Sequence, residues 1–159
     1  MREGERAPLD EVRKTILSLR RTKGMVLDPA DPESVSAGSF FVNPTLSPPE
    51  LEVLEARVAA AGILRAGEIM PRFAAPPEAG EPRWKVSAGW LVERAGFARG
   101  YRPANANVAV SRKHALALVH RGKGTTAELI ALAREIRDGV HARFGVALSP
   151  EPVFVGCAL

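Results

Sequence analysis

The stretch SAGSFFVNP, residues 36–44, decides how the rest of this 159-residue chain is read, because it crowds small, aromatic and amide residues in an order that core packing does not require. Gly38 has no Cβ and lets a ligand approach the backbone closely. Ser39 follows with a hydroxyl that both donates and accepts, and Phe40 and Phe41 bury and stiffen the backbone behind it. Asn43 presents an amide, and Pro44 ends the run. The spacing predicts a short strand over 40–42. Taken alone, the pattern is equally that of an edge strand with a polar start and a proline stop.

Outward from this stretch, local signals divide the chain. Pro8 with Leu9, Val12, Ile16 and Leu19 at helical spacing predicts a first helix that closes at Gly24. The basic residues at its end, 20–23, read as cations at the carbonyl end of a helix or as a solvated turn. Two Asp-Pro pairs between Met25 and Ser36 hold the chain in turns. Ser47 and Glu50 have capping-box spacing before an alanine-rich helix ending at Gly62. Four prolines between Gly67 and Pro82 predict an exposed loop. A strand is expected at 84–86, a short helix after Ser87, and strands at 108–110 and 115–119. Thr125 or Thr126, with Glu128 supplying the box, caps the longest helix, which Gly145 ends. Short apolar runs at 146–148 and 153–155 read as strands.

The sequence RGKGTT at 121–126 lacks the glycine spacing of a phosphate-cradling loop. Helices and strands intermix without a βαβ rhythm or a strand-to-helix GxGxxG turn. The expected fold is therefore α+β: a compact single domain over 1–159, with a small mixed or antiparallel sheet packed by about four helices.

Composition narrows the function classes. The chain is 46% hydrophobic and 25% charged, which is ordinary for a globular domain, and its net charge of +4 suits an anionic partner. The basic residues are dispersed, and only one of nine aromatics is Tyr, so nucleic acid is not the expected partner. The single cysteine, Cys157, forms no internal disulfide and fits a reducing compartment. No apolar run approaches a membrane span, so no membrane partner and a cytoplasmic location are expected. The three histidines, His114, His120 and His141, have no metal-ligand spacing, and no metal is expected.

SAGSFFVNP, together with SAGWLVERAGF at 87–97, VSRKHALALV at 110–119 and FGVALSPEPVFVG at 144–156, resembles the C-terminal, substrate-binding domain of the UDP-N-acetylenolpyruvoylglucosamine reductase (MurB) family. The four motifs occur in the family's order across nearly the whole chain. The resemblance implies an oxidoreductase of peptidoglycan biosynthesis that uses FAD and NADPH to reduce UDP-N-acetylglucosamine enolpyruvate to UDP-N-acetylmuramate. By position, Ser39 matches the family's proton donor, and Glu151 matches the glutamate that assists protonation or stabilises the intermediate.

Lys23 and Asn43 match substrate-binding residues. His114 matches a position where relatives carry a polar residue lining the substrate site, and a structural histidine reads the same way there. Pro152 departs from the family's usual residue after the glutamate. The resemblance covers only the substrate domain. The flavin-binding domain is therefore an expected partner, and neither cofactor is expected to bind this chain alone. The rival expectation is a non-catalytic module of the same fold that binds an anion or a nucleotide sugar.

Overall fold

The computed structural model describes residues 6–64, 66–78 and 80–159. Four helices and two three-stranded antiparallel sheets make up the fold, an α+β arrangement as expected, with two small sheets where one was anticipated. In chain order the elements are α1 (Leu9–Thr22), a 3-10 turn (Pro32–Ser34), β1 (Ser36–Ser39), β2 (Thr45–Leu46), α2 (Pro48–Ala60), β3 (Arg72–Glu78), β4 (Glu81–Val86), α3 (Ala88–Arg94), β5 (Val108–Val110), β6 (Ala117–His120) and α4 (Thr126–Phe144).

Helix ends follow the local chemistry. The Glu50 carboxylate accepts from both the N–H and the hydroxyl of Ser47, at 2.7 Å each, where α2 begins. At the start of α4, Thr125 N–H donates to Glu128 and Glu128 N–H donates to Thr125 Oγ1, a reciprocal capping box. Gly145, at φ 73°, ends that helix in the left-handed region that glycine tolerates.

The first sheet has the order β1-β6-β5 and the second β2-β4-β3. Helix α4 packs on β5 and β6 and against α2 and α3, while α2 covers β2 and β4. Phe40, Phe41, Leu54, Leu91, Leu118, Leu132, Ile136 and Phe144 fill one continuous core between these layers. Each side chain of this class contributes about 1.5–3 kcal/mol when fully withdrawn from water.

Three expectations are corrected. The segment expected to be a proline-rich loop is mostly a hairpin: β3 pairs with β4 from Arg72↔Val86 to Glu78↔Glu81. Between Ala75 and Glu78 the register shifts, so Pro76 and Pro77 fall in a bulge on an edge strand, where a missing N–H breaks no ladder bond. The strand expected at 40–42 lies earlier, at Ser36–Ser39, because β6 pairs with that segment. The runs at 146–148 and 153–155 form no strand; only Pro150 makes a bridge, to Phe41.

Candidate active site

Ser39 ends β1, and the path of that strand determines where it points. Ser36 pairs with Val119 and Ser39 with Ala117, so β1 uses three residue steps against two on β6. The extra residue is accommodated at Gly38, whose φ of 82° is in the left-handed region. Such a bulge turns the strand and re-aims the side chain that follows. Directly after it, Phe40 N–H donates to Leu116 O at 2.8 Å, which ties the end of β1 to the turn before β6.

The other side of Phe40 receives the chain's C-terminal segment. Glu151 N–H donates to Phe40 O at 2.9 Å, and Val42 N–H donates to Ser149 O at 3.1 Å. Pro150 and Pro152 flank Glu151 and hold φ near −65° on both sides, so the segment stays extended beside residues 40–42. Two residues separated by more than a hundred positions thus present their side chains from neighbouring backbone.

A cleft of about 520 Å³ opens at this junction, lined by Ser39 and Glu151 together with Gly38, Lys23, His114 and Arg20. Lys23 caps the C-terminus of α1. Gly24 N–H donates to Arg21 O and Met25 N–H to Arg20 O, the paired bonds of a glycine-terminated helix end, with Gly24 at φ 68°. The cations at 20 and 23 lie three residues apart and so share one helix face, and the structure places both in the cleft lining. Arg20 was not singled out in the sequence, although its spacing from Lys23 was the available signal.

His114 accepts a hydrogen bond at Nδ1 from Leu116 N–H, 3.1 Å away. Burial pushes its pKa down, and the charges of Lys23 and Arg99 push it further in the same direction. The imidazole is therefore neutral at pH 7, with its proton on Nε2, and it offers the cleft a donor. His120, by contrast, donates from Nε2 to Gly124 O at 2.7 Å and serves the local turn.

Asn43 stands beyond the lining. Its Oδ1 accepts from Ala88 N–H at 2.9 Å, satisfying a free donor in the first turn of α3. The structure thus brings four of the five expected residues, Ser39, Glu151, Lys23 and His114, into one cleft, and it places Asn43 at a helix start outside it.

Among the described residues, the side chains of Ser39, Glu151 and Lys23 have no hydrogen-bond or ion-pair partner. A hydroxyl, a carboxylate and an ammonium converging unpaired on one opening form a set able to hold an anionic ligand and deliver a proton. A second cleft of about 500 Å³, between α2 and the end of α4, has one carboxylate, Glu50, which is occupied at the α2 start. No group of three potential metal ligands occurs among the described residues, and none of their helices is long and apolar enough to cross a membrane.

Comparison with known proteins gives the family. The family described as UDP-N-acetylenolpyruvoylglucosamine reductase, C-terminal domain, matches residues 29–155. UDP-N-acetylenolpyruvoylglucosamine reductases from Thermobifida fusca and Mycolicibacterium gilvum are each 50% identical to the chain over 99% of its length. The one from Streptomyces coelicolor is 51% identical over 98% of the chain. The chain spans 42%, 41% and 39% of these three relatives, respectively. With most of its length matched, the chain belongs to the UDP-N-acetylenolpyruvoylglucosamine reductase family through the C-terminal domain of that family.

Proposed function

We propose that this chain is the substrate-binding part of a UDP-N-acetylenolpyruvoylglucosamine reductase, acting in the cytoplasm on UDP-N-acetylglucosamine enolpyruvate to give UDP-N-acetylmuramate for peptidoglycan. The observation that carries this reading is the convergence of Ser39, Glu151, Lys23 and His114, from four separate stretches, in one cleft. No residue of this chain is assigned to FAD or NADPH. FAD bound to the rest of the enzyme and reduced by NADPH would supply hydride for C3 of the enolpyruvyl group.

The chain's own residues manage charge and the proton. As C3 is reduced, negative charge builds toward C2 and its carboxylate. Ser39 holds a proton at Oγ for C2, where geometry outweighs the hydroxyl's poor acidity in water. Glu151 lies beside it and assists that transfer. Lys23 and Arg20 meet the diphosphate or carboxylate of the substrate as cations, and His114 donates from Nε2. Asn43 retains its amide nitrogen for a ligand, with its oxygen held by Ala88.

The proposed partner is the flavin-binding part of the same enzyme. Support comes from α1, which has no buried residue although Leu9, Ile16 and Leu19 form an apolar stripe that is 86%, 50% and 60% exposed. More than half of each relative's length lies outside the matched region, enough for a domain to cover that stripe. The rival reading, a non-catalytic anion or nucleotide-sugar module, draws on the same Arg20–Lys23 pair.

Joining the chain to the N-terminal portion of its Thermobifida fusca relative tests the reductase reading. Restored oxidation of NADPH that depends on UDP-N-acetylglucosamine enolpyruvate supports it. A chimera that retains flavin reduction by NADPH, and binds the nucleotide sugar without reducing it, favours the binding module.

A further inference from the structure

Glu33 is not part of the cleft, yet it holds two of the elements that form it. It is 6% exposed. Its carboxylate accepts from the Ser111 hydroxyl and from Arg112 N–H, each at 2.8 Å, and from the Arg121 guanidinium at 2.5 Å. Ser111 and Arg112 begin the turn between β5 and β6 that carries His114. Asp31, two residues before Glu33, pairs with Lys113 of that same turn at 2.8 Å.

The backbone of Glu33 faces the other way, toward α1. A Cβ added at Gly24 would come within 2.8 Å of Glu33 O, so the end of α1 is seated directly on this peptide. Gly24 follows Lys23. One buried residue therefore joins the turn bearing His114 to the helix end bearing Lys23 and Arg20.

A buried carboxylate that receives three donors is rigid, because moving any donor leaves a charge desolvated and unpaired. Burial raises the Glu33 carboxyl's proton affinity, but the bonds from Ser111, Arg112 and Arg121 outweigh it and hold the group below the usual carboxylate range. It is therefore ionised at neutral pH.

We infer that Glu33 is a positioning residue for substrate binding: its carboxylate fixes the 111–114 turn and its peptide seats the end of α1, setting the spacing of His114 and Lys23 in the cleft. The inference rests on the substrate-binding reading of that cleft. Glu33→Gln keeps the side chain's size but turns an amide NH₂ toward groups that are themselves donors. Ser111→Ala removes one of the three bonds and is the milder variant.

The test uses the full chain, with folding followed by circular dichroism. The His114 titration is read by NMR, and affinity for UDP-N-acetylglucosamine enolpyruvate by calorimetry. The inference expects Glu33→Gln to shift the His114 titration and to weaken affinity about tenfold. Ser111→Ala should move both in the same direction by less, and Glu52→Gln, exposed on α2 away from the cleft, should move neither. A folded Glu33→Gln or Ser111→Ala chain with an unmoved His114 titration overturns the inference. If His114 responds but the unmutated chain does not bind the nucleotide sugar, the positioning role stands and the substrate reading fails.

Discussion

The backbone N–H of Glu151 donates to the carbonyl of Phe40 at 2.9 Å, and this bond sets the glutamate beside Ser39. Because it is a main-chain bond, altering either side chain leaves it intact. Ser39→Ala and Glu151→Gln should each keep the fold and the affinity for the nucleotide sugar while lowering turnover by roughly 10²–10⁴-fold in the chimeric enzyme. Single-turnover flavin reoxidation, with calorimetry in parallel, checks both. Unchanged turnover in Ser39→Ala removes it as the proton donor.

Gly24 and Gly38 both adopt a positive φ, 68° and 82°, but their surroundings differ. An added Cβ at Gly38 meets nothing within 4 Å, whereas at Gly24 it meets Glu33 O at 2.8 Å. Gly38→Ala should therefore cost only the left-handed backbone penalty, about 1–2 kcal/mol, and should disturb the bulge before Ser39. Gly24→Ala should cost more, because a helix end and a buried peptide must separate. Urea unfolding of the two variants gives the comparison, and equal losses would contradict it.

Helix propensity and packing oppose each other at Gly139. Replacing a mid-helix glycine by alanine should stabilise α4 by about 1 kcal/mol on propensity alone. A Cβ there would lie 2.6 Å from Cε2 of the Phe97 ring, which itself packs edge-on against Tyr101 at 5.0 Å between centroids. The ring cannot swing aside without breaking that contact, so Gly139→Ala is expected to lower the melting temperature. A raised melting temperature would show that Phe97 yields.

The contrast between Thr125 and Glu151 shows where sequence reading reaches. Thr125 and Glu128 lie three residues apart, so their mutual capping follows from local chemistry, as do the glycine stops at Gly24 and Gly145. The placement of residues 149–151 against 40–42 depends on contacts over a hundred positions apart, and nothing local signals it. Hydrophobic runs near 146 and 153 mimicked strands. Pro76 and Pro77 read as loop because a proline's fit in an edge bulge depends on which strand lies beside it. In the cleft, motif position singled out Ser39, Lys23, His114 and Glu151, and helical spacing alone would have added Arg20.

Two sets of groups predict the pH dependence of stability. His114 is held below its ordinary value of 6.5 in the fold, first by burial and then by Lys23 and Arg99. The unfolded chain therefore takes up this proton more readily, and the stability His114 contributes is complete above pH 6.5 and lost as pH falls through its folded value. The Glu33, Glu50 and Glu128 carboxyls are likewise held below the ordinary 4.5, and Asp31, bonded to Lys113, is held below 3.8. Their contributions are complete above those ordinary values and are lost as pH falls through the depressed folded ones. Melting temperature should thus decline in two stages, a shallow one starting near pH 6.5 and a steeper one below about pH 4.5. His114→Asn should abolish the first stage and leave the second. Calorimetric scans across this range decide the matter, and a first stage that persists in His114→Asn would assign it to another group.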